Sequence, residues 1–135
     1  MHLVREEEST KKRILVVEDD PVNGLVLFDY LHAHGYRVCL AKTGLDGVGA
    51  FERYAPHLVL VDLLLPLKNG FEVCFDIKRT ERGRRTPVLL MSAVYRDTSH
   101  AQSYGCADLG AQGFLVKPFE LSALLERVQA LIGAA

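Results

Sequence analysis

Residues 13–21 read Arg-Ile-Leu-Val-Val-Glu-Asp-Asp-Pro, an apolar run followed at once by three acidic residues and a proline. The apolar run is short and rich in β-branched residues, which predicts a buried strand. Asp20 and Pro21 then suit the N-cap and the first position of a helix. Gly35 supplies the left-handed stop of this helix. A strand and a helix therefore meet at a group of carboxylates.

The same alternation of strand and helix continues to the end of the chain. Further strands are predicted at 36–40, 57–62, 87–91 and 114–117, and further helices at about 45–54, 70–79, 99–109 and 121–132. The last helix has the clearest pattern, with aliphatic residues at the helical spacing of one buried face. Residues 82–85 (Arg-Gly-Arg-Arg) are expected to form a basic turn in solvent.

Five strands that alternate with five helices predict an α/β fold, with a parallel sheet covered by helices on both faces. Right-handed crossovers leave few topologies, of which the doubly wound, flavodoxin-like strand order 2-1-3-4-5 fits best. A length of 135 residues suits one domain. We expect this domain at 13–132, after a polar lead-in at 1–12 and before a tail at 133–135.

The composition argues against several classes of function. The 16 basic and 17 acidic residues nearly balance, which gives no electrostatic footprint for nucleic acid or an anionic membrane. No apolar run approaches the roughly 18 residues of a spanning helix, and the charged N-terminus is unlike a signal peptide. Cys39, Cys74 and Cys106 are widely spaced, so reduced thiols are favoured over disulfides or a zinc site. These features predict a cytoplasmic protein that contacts neither nucleic acid nor membrane directly.

Polar side chains follow four of the predicted strands, at the edge where such sheets bind ligands. Glu18 and Asp19 follow strand 1, Asp62 ends strand 3, Ser92 follows strand 4 and Lys117 ends strand 5. Each alone could be a helix cap or a solvated strand end, but their joint occurrence favours a site. Closely placed carboxylates repel one another unless a cation neutralises them, and Mg²⁺ prefers oxygen ligands. The set predicts phosphoryl transfer to the strand 3 aspartate, with the metal, the ammonium and the hydroxyl stabilising the phosphoryl oxygens.

Four blocks of sequence resemble, in order and spacing, the receiver domain of bacterial two-component response regulators. They read ILVVEDDP, LVLVDLLLPLKNG, PVLLMSA and GFLVKPF, and the resemblance extends from about residue 13 to residue 132. It implies that Asp62 is the phosphorylation site and that Ser92 follows the phosphoryl group. It also implies that Lys117 is the invariant lysine of the family.

The resemblance further implies a metal site and a switch residue. It assigns Mg²⁺ to Glu18 (through water), Asp19, Asp62 and the backbone carbonyl of Leu64. Phe114 occupies the position of the aromatic switch, and the Lys117-Pro118 bond is expected to be cis.

The function implied by this resemblance is signalling, with no catalysis beyond the domain's own phosphotransfer and autodephosphorylation. A histidine kinase or a phosphotransfer protein would phosphorylate Asp62, Ser92 would move toward the phosphoryl group, and Phe114 would turn inward into the space vacated. The movement would remodel the face formed by the helix at 99–109, strand 5 and the last helix, which would bind a downstream protein. The resemblance also allows a homodimer that forms on phosphorylation. A single-domain regulator and a receiver within a longer protein both remain open.

Departures from the family pattern leave other interpretations open. The segment between Ser92 and Lys117 is a few residues longer than usual, and Ala111-Gln112-Gly113 replaces a common acidic doublet. A pseudo-receiver, which binds partners without phosphorylation, would share the fold. A phosphatase of the haloacid-dehalogenase type is disfavoured, because its second aspartate would stand at position 64, which is Leu64.

The first helix is apolar on nearly all sides, through Val22, Leu25, Val26, Leu27, Phe28, Tyr30 and Leu31. Such a helix is usually buried, yet this one should lie on the surface of the sheet. The residues either form a partner surface, since this helix can dock on the kinase in the family, or fold onto neighbouring helices.

Overall fold

The computed structural model describes residues 11–93 and 110–135 of the chain. The strands in these residues are β1 (Arg13–Val17), β2 (Arg37–Ala41), β3 (Leu58–Asp62), β4 (Val88–Ser92) and β5 (Gly113–Val116). The helices there are α1 (Pro21–Ala33), α2 (Gly44–Tyr54), α3 (Gly70–Lys78), α4 (Glu81–Arg85) and α5 (Leu121–Ile132). All strands pair in parallel, in the order β2-β1-β3-β4-β5. The predicted fold class and strand order are confirmed.

The local signals around α1 act as the sequence predicts. The Asp20 carboxylate accepts a hydrogen bond from the Val22 amide at 2.9 Å, and Pro21 is the first helical residue. Gly35 follows the helix with a φ of 94°, a conformation that is open to glycine and strained for other residues. The Lys117-Pro118 peptide bond is cis, as expected.

One prediction about local structure is wrong in part, because residues 82–85 lie in the helix α4 and do not form a turn, although their three arginines are exposed to solvent as predicted. Thr80 caps this helix by accepting a hydrogen bond from the Gly83 amide at 2.9 Å. The Arg82 guanidinium lies 4.8 Å from the centre of the Phe51 ring and donates to the Phe51 carbonyl at 2.8 Å. Contacts with a distant part of the chain thus stabilise a segment whose own sequence favours a turn. The predicted helix at 99–109 lies outside the described residues.

Two apolar layers enclose the central strands. Alternate residues of β1, β3 and β4 point to opposite faces of the sheet, as strand geometry requires. One face packs against α2 and α3, and the other packs against α1 and α5. Every residue of β3 and β4 is buried, so the sheet positions the carboxyl ends of its strands on a rigid base.

Three apolar residues of α1 lie on the outer surface of the helical layer. Val22, Leu25 and Val26 are 67%, 55% and 45% exposed, whereas Leu27 and Leu31 face the core. The interpretation that the apolar side chains of α1 fold onto neighbouring helices is therefore wrong for these three residues.

None of the helices in the described ranges combines the length and the apolar character needed to cross a bilayer. Cys39 is half-buried and Cys74 is buried, and both carry reduced thiols. Cys106 lies outside the described residues.

Candidate active site

Glu18 and Asp19 begin the turn that follows β1. The Glu18 amide donates to the Ala41 carbonyl at 2.9 Å, which extends the pairing with β2 by one residue and fixes the backbone there. The Asp20 amide donates to one Glu18 carboxylate oxygen at 3.4 Å. Glu18 is only 3% exposed, while Asp19 is open to solvent. The turn therefore presents one buried and one exposed carboxylate.

Asp62 is the last residue of β3 and is 6% exposed. Its Oδ1 accepts a hydrogen bond from the Leu64 amide at 2.9 Å. The loop after β3 returns close to the strand, since the Gly70 amide donates to the Leu63 carbonyl at 3.0 Å. A Cβ atom at position 70 would collide with the Asp62 carbonyl oxygen, so this close return requires glycine.

Lys117 follows β5 and joins the two buried carboxylates. Its amide donates to the Ser92 carbonyl at 3.1 Å, which fixes the backbone beside β4. Its Nζ lies 2.6 Å from Oε1 of Glu18 and 2.6 Å from Oδ2 of Asp62. The sequence predicts that these three residues meet, but not that one ammonium group bridges both carboxylates.

The ionisation of the site follows from burial and from these contacts. Burial raises the pKa of Glu18 to about 6, and the nearby charge of Asp62 acts in the same direction. The hydrogen bond from Lys117 lowers the Glu18 pKa but does not cancel this effect. Burial disfavours the charged form of Lys117, yet its hydrogen bonds with Asp62 and Glu18 outweigh burial and raise its pKa. Lys117 is thus a permanent cation at neutral pH.

The acidic residues can hold a metal ion. Glu18, Asp19 and Asp62 each offer a carboxylate oxygen, and these oxygens lie within 4.8 Å of one another. Among the residues that the structure describes, the Lys117 ammonium group contacts two of these three carboxylates, so negative charge remains uncompensated there where Asp19 opens to solvent. Oxygen donors that allow retained waters suit a hard divalent cation such as Mg²⁺. The donor set therefore fits the predicted metal.

Ser92 lies at the same edge of the sheet as this cluster, whereas Phe114 lies further back along its strand. Ser92 ends β4 and is 1% exposed, one residue beyond Met91, the residue that pairs with Asp62. Phe114 of β5 pairs with Leu90 of β4 and is 3% exposed, so its ring already lies within the core and has no inward turn left to make in this conformation.

An apolar cleft of about 400 Å³ adjoins the site. The sequence did not predict this cleft. Its walls are Val26 and Leu27 of α1 on one side and Phe119 and Leu121 on the other, and Glu18 and Lys117 also line it. The two walls are about 90 residues apart in the chain, so only the tertiary fold brings them together. The only indication of this cleft in the sequence was the apolar character of α1.

Known proteins share this sequence pattern and fold. Residues 14–129 match the response regulator receiver domain family. The DNA-binding dual master transcriptional regulator RpaA of Synechocystis is 36% identical over 89% of this chain and 48% of its own length. The transcriptional regulatory protein PcoR of Escherichia coli is 34% identical over 92% of this chain and 53% of its own. The chain thus spans about half the length of these relatives.

Solved structures agree with this match. The receiver domain of the Pseudomonas aeruginosa sensor histidine kinase PA1611, with a magnesium ion coordinated in its active-site cleft, has a TM-score of 0.81. It is 33% identical, and the similarity covers 93% of this chain and all of that one. The BeF3-activated receiver domain of Klebsiella pneumoniae RstA is 29% identical with a TM-score of 0.79, over 90% and 98% of the two chains. The chain therefore belongs to the response regulator receiver domain family of two-component systems.

Proposed function

We propose that this receiver domain, at residues 13–132, is a switch that accepts a phosphoryl group on Asp62 from a histidine kinase or a phosphotransfer protein. The ion-pair geometry of Lys117 supports this function most directly. Two buried carboxylates at 2.6 Å from one ammonium group are costly to maintain for stability alone. Such an arrangement is expected in a site that must accommodate the added negative charge of a phosphoryl group.

The chemistry assigns a separate role to each side chain. A carboxylate oxygen of Asp62 forms a bond to phosphorus, and the bond from phosphorus to the donor's imidazole nitrogen breaks. The electron pair of the broken bond stays on that nitrogen. Lys117 pairs with one phosphoryl oxygen, and the Ser92 hydroxyl donates a hydrogen bond to another. Catalysis then consists of positioning and charge stabilisation.

Mg²⁺ is proposed to bind to Asp19, Asp62 and the backbone carbonyl of Leu64 directly, and to Glu18 through water. When bound, it supplies positive charge beside the phosphoryl oxygens. Glu18 is proposed to be ionised in this state, and its pKa of about 6 makes metal binding depend on its protonation in that pH range.

The phosphoryl donor is proposed to dock on α1 and the adjoining cleft. The donor histidine has to reach Asp62, and the cleft opens beside the site, because Glu18 and Lys117 are among its lining residues. Val22, Leu25 and Val26 extend the apolar surface of the cleft into solvent. A helical donor with an apolar face fits such a surface.

The output is proposed to act through β5, α5 and the segment at 99–109, with Ser92 and Phe114 as the switch residues. A downstream protein or a second phosphorylated copy would bind there, and the domain itself would contact neither nucleic acid nor membrane. A pseudo-receiver that binds without phosphorylation is the second candidate. The longer segment between Ser92 and Lys117 favours it, whereas the intact ion-pair geometry of Lys117 opposes it.

Phosphorylation can be tested with acetyl phosphate and Mg²⁺. We expect a gain of about 80 Da by mass spectrometry in the wild-type chain, because a small donor needs no docking surface. Asp62→Asn removes the nucleophile and should show no gain. A wild-type chain that binds Mg²⁺ but gains no mass would favour the pseudo-receiver.

Mg²⁺ affinity should depend on pH through Glu18. A raised pKa means that Glu18 takes up a proton as the pH falls through about 6, and this proton must leave before the metal binds. We expect the Mg²⁺ dissociation constant, measured by isothermal titration calorimetry, to rise several-fold between about pH 7 and about pH 5. Glu18→Gln should bind Mg²⁺ more weakly and largely lose this dependence. An equally steep dependence in Glu18→Gln would show that another group titrates.

The docking surface can be tested by replacing Leu25 and Val26 with Ser. Transfer from an autophosphorylated histidine kinase that phosphorylates the wild type should slow by about tenfold or more, because the donor loses its apolar contact. Phosphorylation by acetyl phosphate should be unchanged. Leu45→Ser removes another exposed leucine, at 58% exposure on α2, and serves as the control. Equal transfer rates in all variants would contradict docking on α1.

A further inference from the structure

The loop between β3 and α3 (residues 63–69) contains a strained turn. Leu67 has a φ of 70°, in the left-handed region that a residue with a Cβ atom adopts at a cost. The Lys68 amide donates to the Pro66 carbonyl at 2.8 Å and closes a three-residue turn around Leu67, a rare and strained type. The Leu67 side chain is 87% exposed, so its own packing does not offset this cost. Contacts of its neighbours must maintain the turn.

Lys68 provides the closest of these contacts. Its Nζ lies 2.5 Å from Oδ2 of Asp76 on α3, and both side chains are only 24% exposed. A partly buried pair at this distance is less screened than an exposed one. The Lys68 carbonyl also lies against α2, where a Cβ atom at Gly44 would collide with it. Lys68 thus joins the loop to two helices.

The other end of the loop lies at the active site. The Leu64 amide donates to Oδ1 of Asp62 at 2.9 Å, and the hydrogen bond between Gly70 and Leu63 holds the two ends of the loop together. With both ends fixed, a change in the turn at Leu67 is shared among residues 64–66 on one side and residues 68 and 69 on the other. The conformation of the turn is therefore coupled to the orientation of the Leu64 amide.

We propose that the Lys68–Asp76 ion pair is a positioning device, which keeps the strained turn in place and so aligns the Leu64 amide with Asp62. Lys68 does not touch the reacting atoms and acts only through the loop backbone. The inference rests on the proposed function, since the consequence of misalignment is weaker Mg²⁺ binding and slower phosphorylation of Asp62. It assigns a role to an ion pair that is remote from the carboxylate cluster.

Lys68→Met keeps the aliphatic part of the side chain and removes the charge. We expect this variant to bind Mg²⁺ about three- to tenfold more weakly and to slow phosphorylation by acetyl phosphate to a similar extent. Arg85→Met is the matched control, because it breaks the exposed pair with Glu81 at 3.5 Å on α4, away from the loop. Its Mg²⁺ affinity and phosphorylation rate should equal those of the wild type.

A second substitution separates positioning from general stability. Glycine adopts the left-handed conformation freely, so Leu67→Gly removes the strain that the ion pair resists. We expect Leu67→Gly in the Lys68→Met background to restore most of the Mg²⁺ affinity and phosphorylation rate. Double variants that stay as impaired as Lys68→Met would overturn the inference, and so would a Lys68→Met chain with wild-type Mg²⁺ affinity.

The alignment of the Leu64 amide with Asp62 can be measured without phosphorylation. The ¹H–¹⁵N resonance of the Leu64 amide should shift in metal-free Lys68→Met, stay in place in Arg85→Met and return in the Leu67→Gly double variant. If the wild-type chain takes no phosphoryl group, the proposed function fails, and this resonance still decides the positioning role. An unshifted Leu64 amide in Lys68→Met would refute that role.

Discussion

The ammonium group of Lys117, held between the carboxylates of Glu18 and Asp62, is the contact on which the rest of the site depends. The three groups come from the ends of β1, β3 and β5, and all are largely buried. Removing one member of such a cluster leaves a buried charge without its partner, which typically costs about 3–5 kcal/mol. The cluster therefore constrains both the fold that builds it and the chemistry that it can perform.

The strand order is what makes this contact possible. β5 is separated from β3 by β4, so Lys117 must reach past the end of β4 to meet Asp62. Parallel pairing places all these strand ends at one edge, and the fully buried β3 and β4 hold that edge rigid. The pairing of Lys117 with Ser92 through the backbone fixes the approach of the lysine. Apolar strands thus support a polar site that could not form on a mobile loop.

The proposed metal binding and phosphoryl transfer both depend on an imbalance of charge. Within residues 11–93 and 110–135, one lysine does not neutralise the three carboxylates, so the site favours a cation before it can accept further negative charge. Burial raises the pKa of Glu18, and the nearby charge of Asp62 adds to this effect, so the imbalance of charge contributes to the shift. The strained backbone turn at Leu67 is a second energetically unfavourable feature near the site. Local costs of this kind are expected where function constrains structure.

The sequence predicted the parts of the molecule that local rules determine. Alternating apolar runs set the strands, and Asp20, Pro21 and Gly35 set the limits of α1. The residues of the site were predicted from their positions at strand ends, together with the family resemblance. Long-range contacts account for what was missed: the packing of Arg82 on Phe51, the cleft beside α1 and the bridge from Lys117 to Glu18. No periodicity in the chain encodes such contacts.

The turn at Leu67 could not be predicted for a different reason. Leucine disfavours a positive φ, and its neighbours Pro66 and Asn69 indicate only that a turn is present. The conformation depends on Lys68, whose partner Asp76 lies two turns along α3. Local preference and tertiary contact disagree here, and the tertiary contact prevails.

The Mg²⁺ affinity and the phosphorylation rate of Lys117→Met, measured together at about pH 8, test the central claim most directly. If Lys117 is a cation that shares the carboxylates with the metal and later stabilises the phosphoryl group, the two quantities should change in opposite directions. Mg²⁺ should bind more tightly, by about tenfold, because a competing positive charge is gone. Phosphorylation of Asp62 by acetyl phosphate should slow strongly. A folded Lys117→Met chain that binds Mg²⁺ more weakly, or takes up the phosphoryl group at the wild-type rate, would contradict the account.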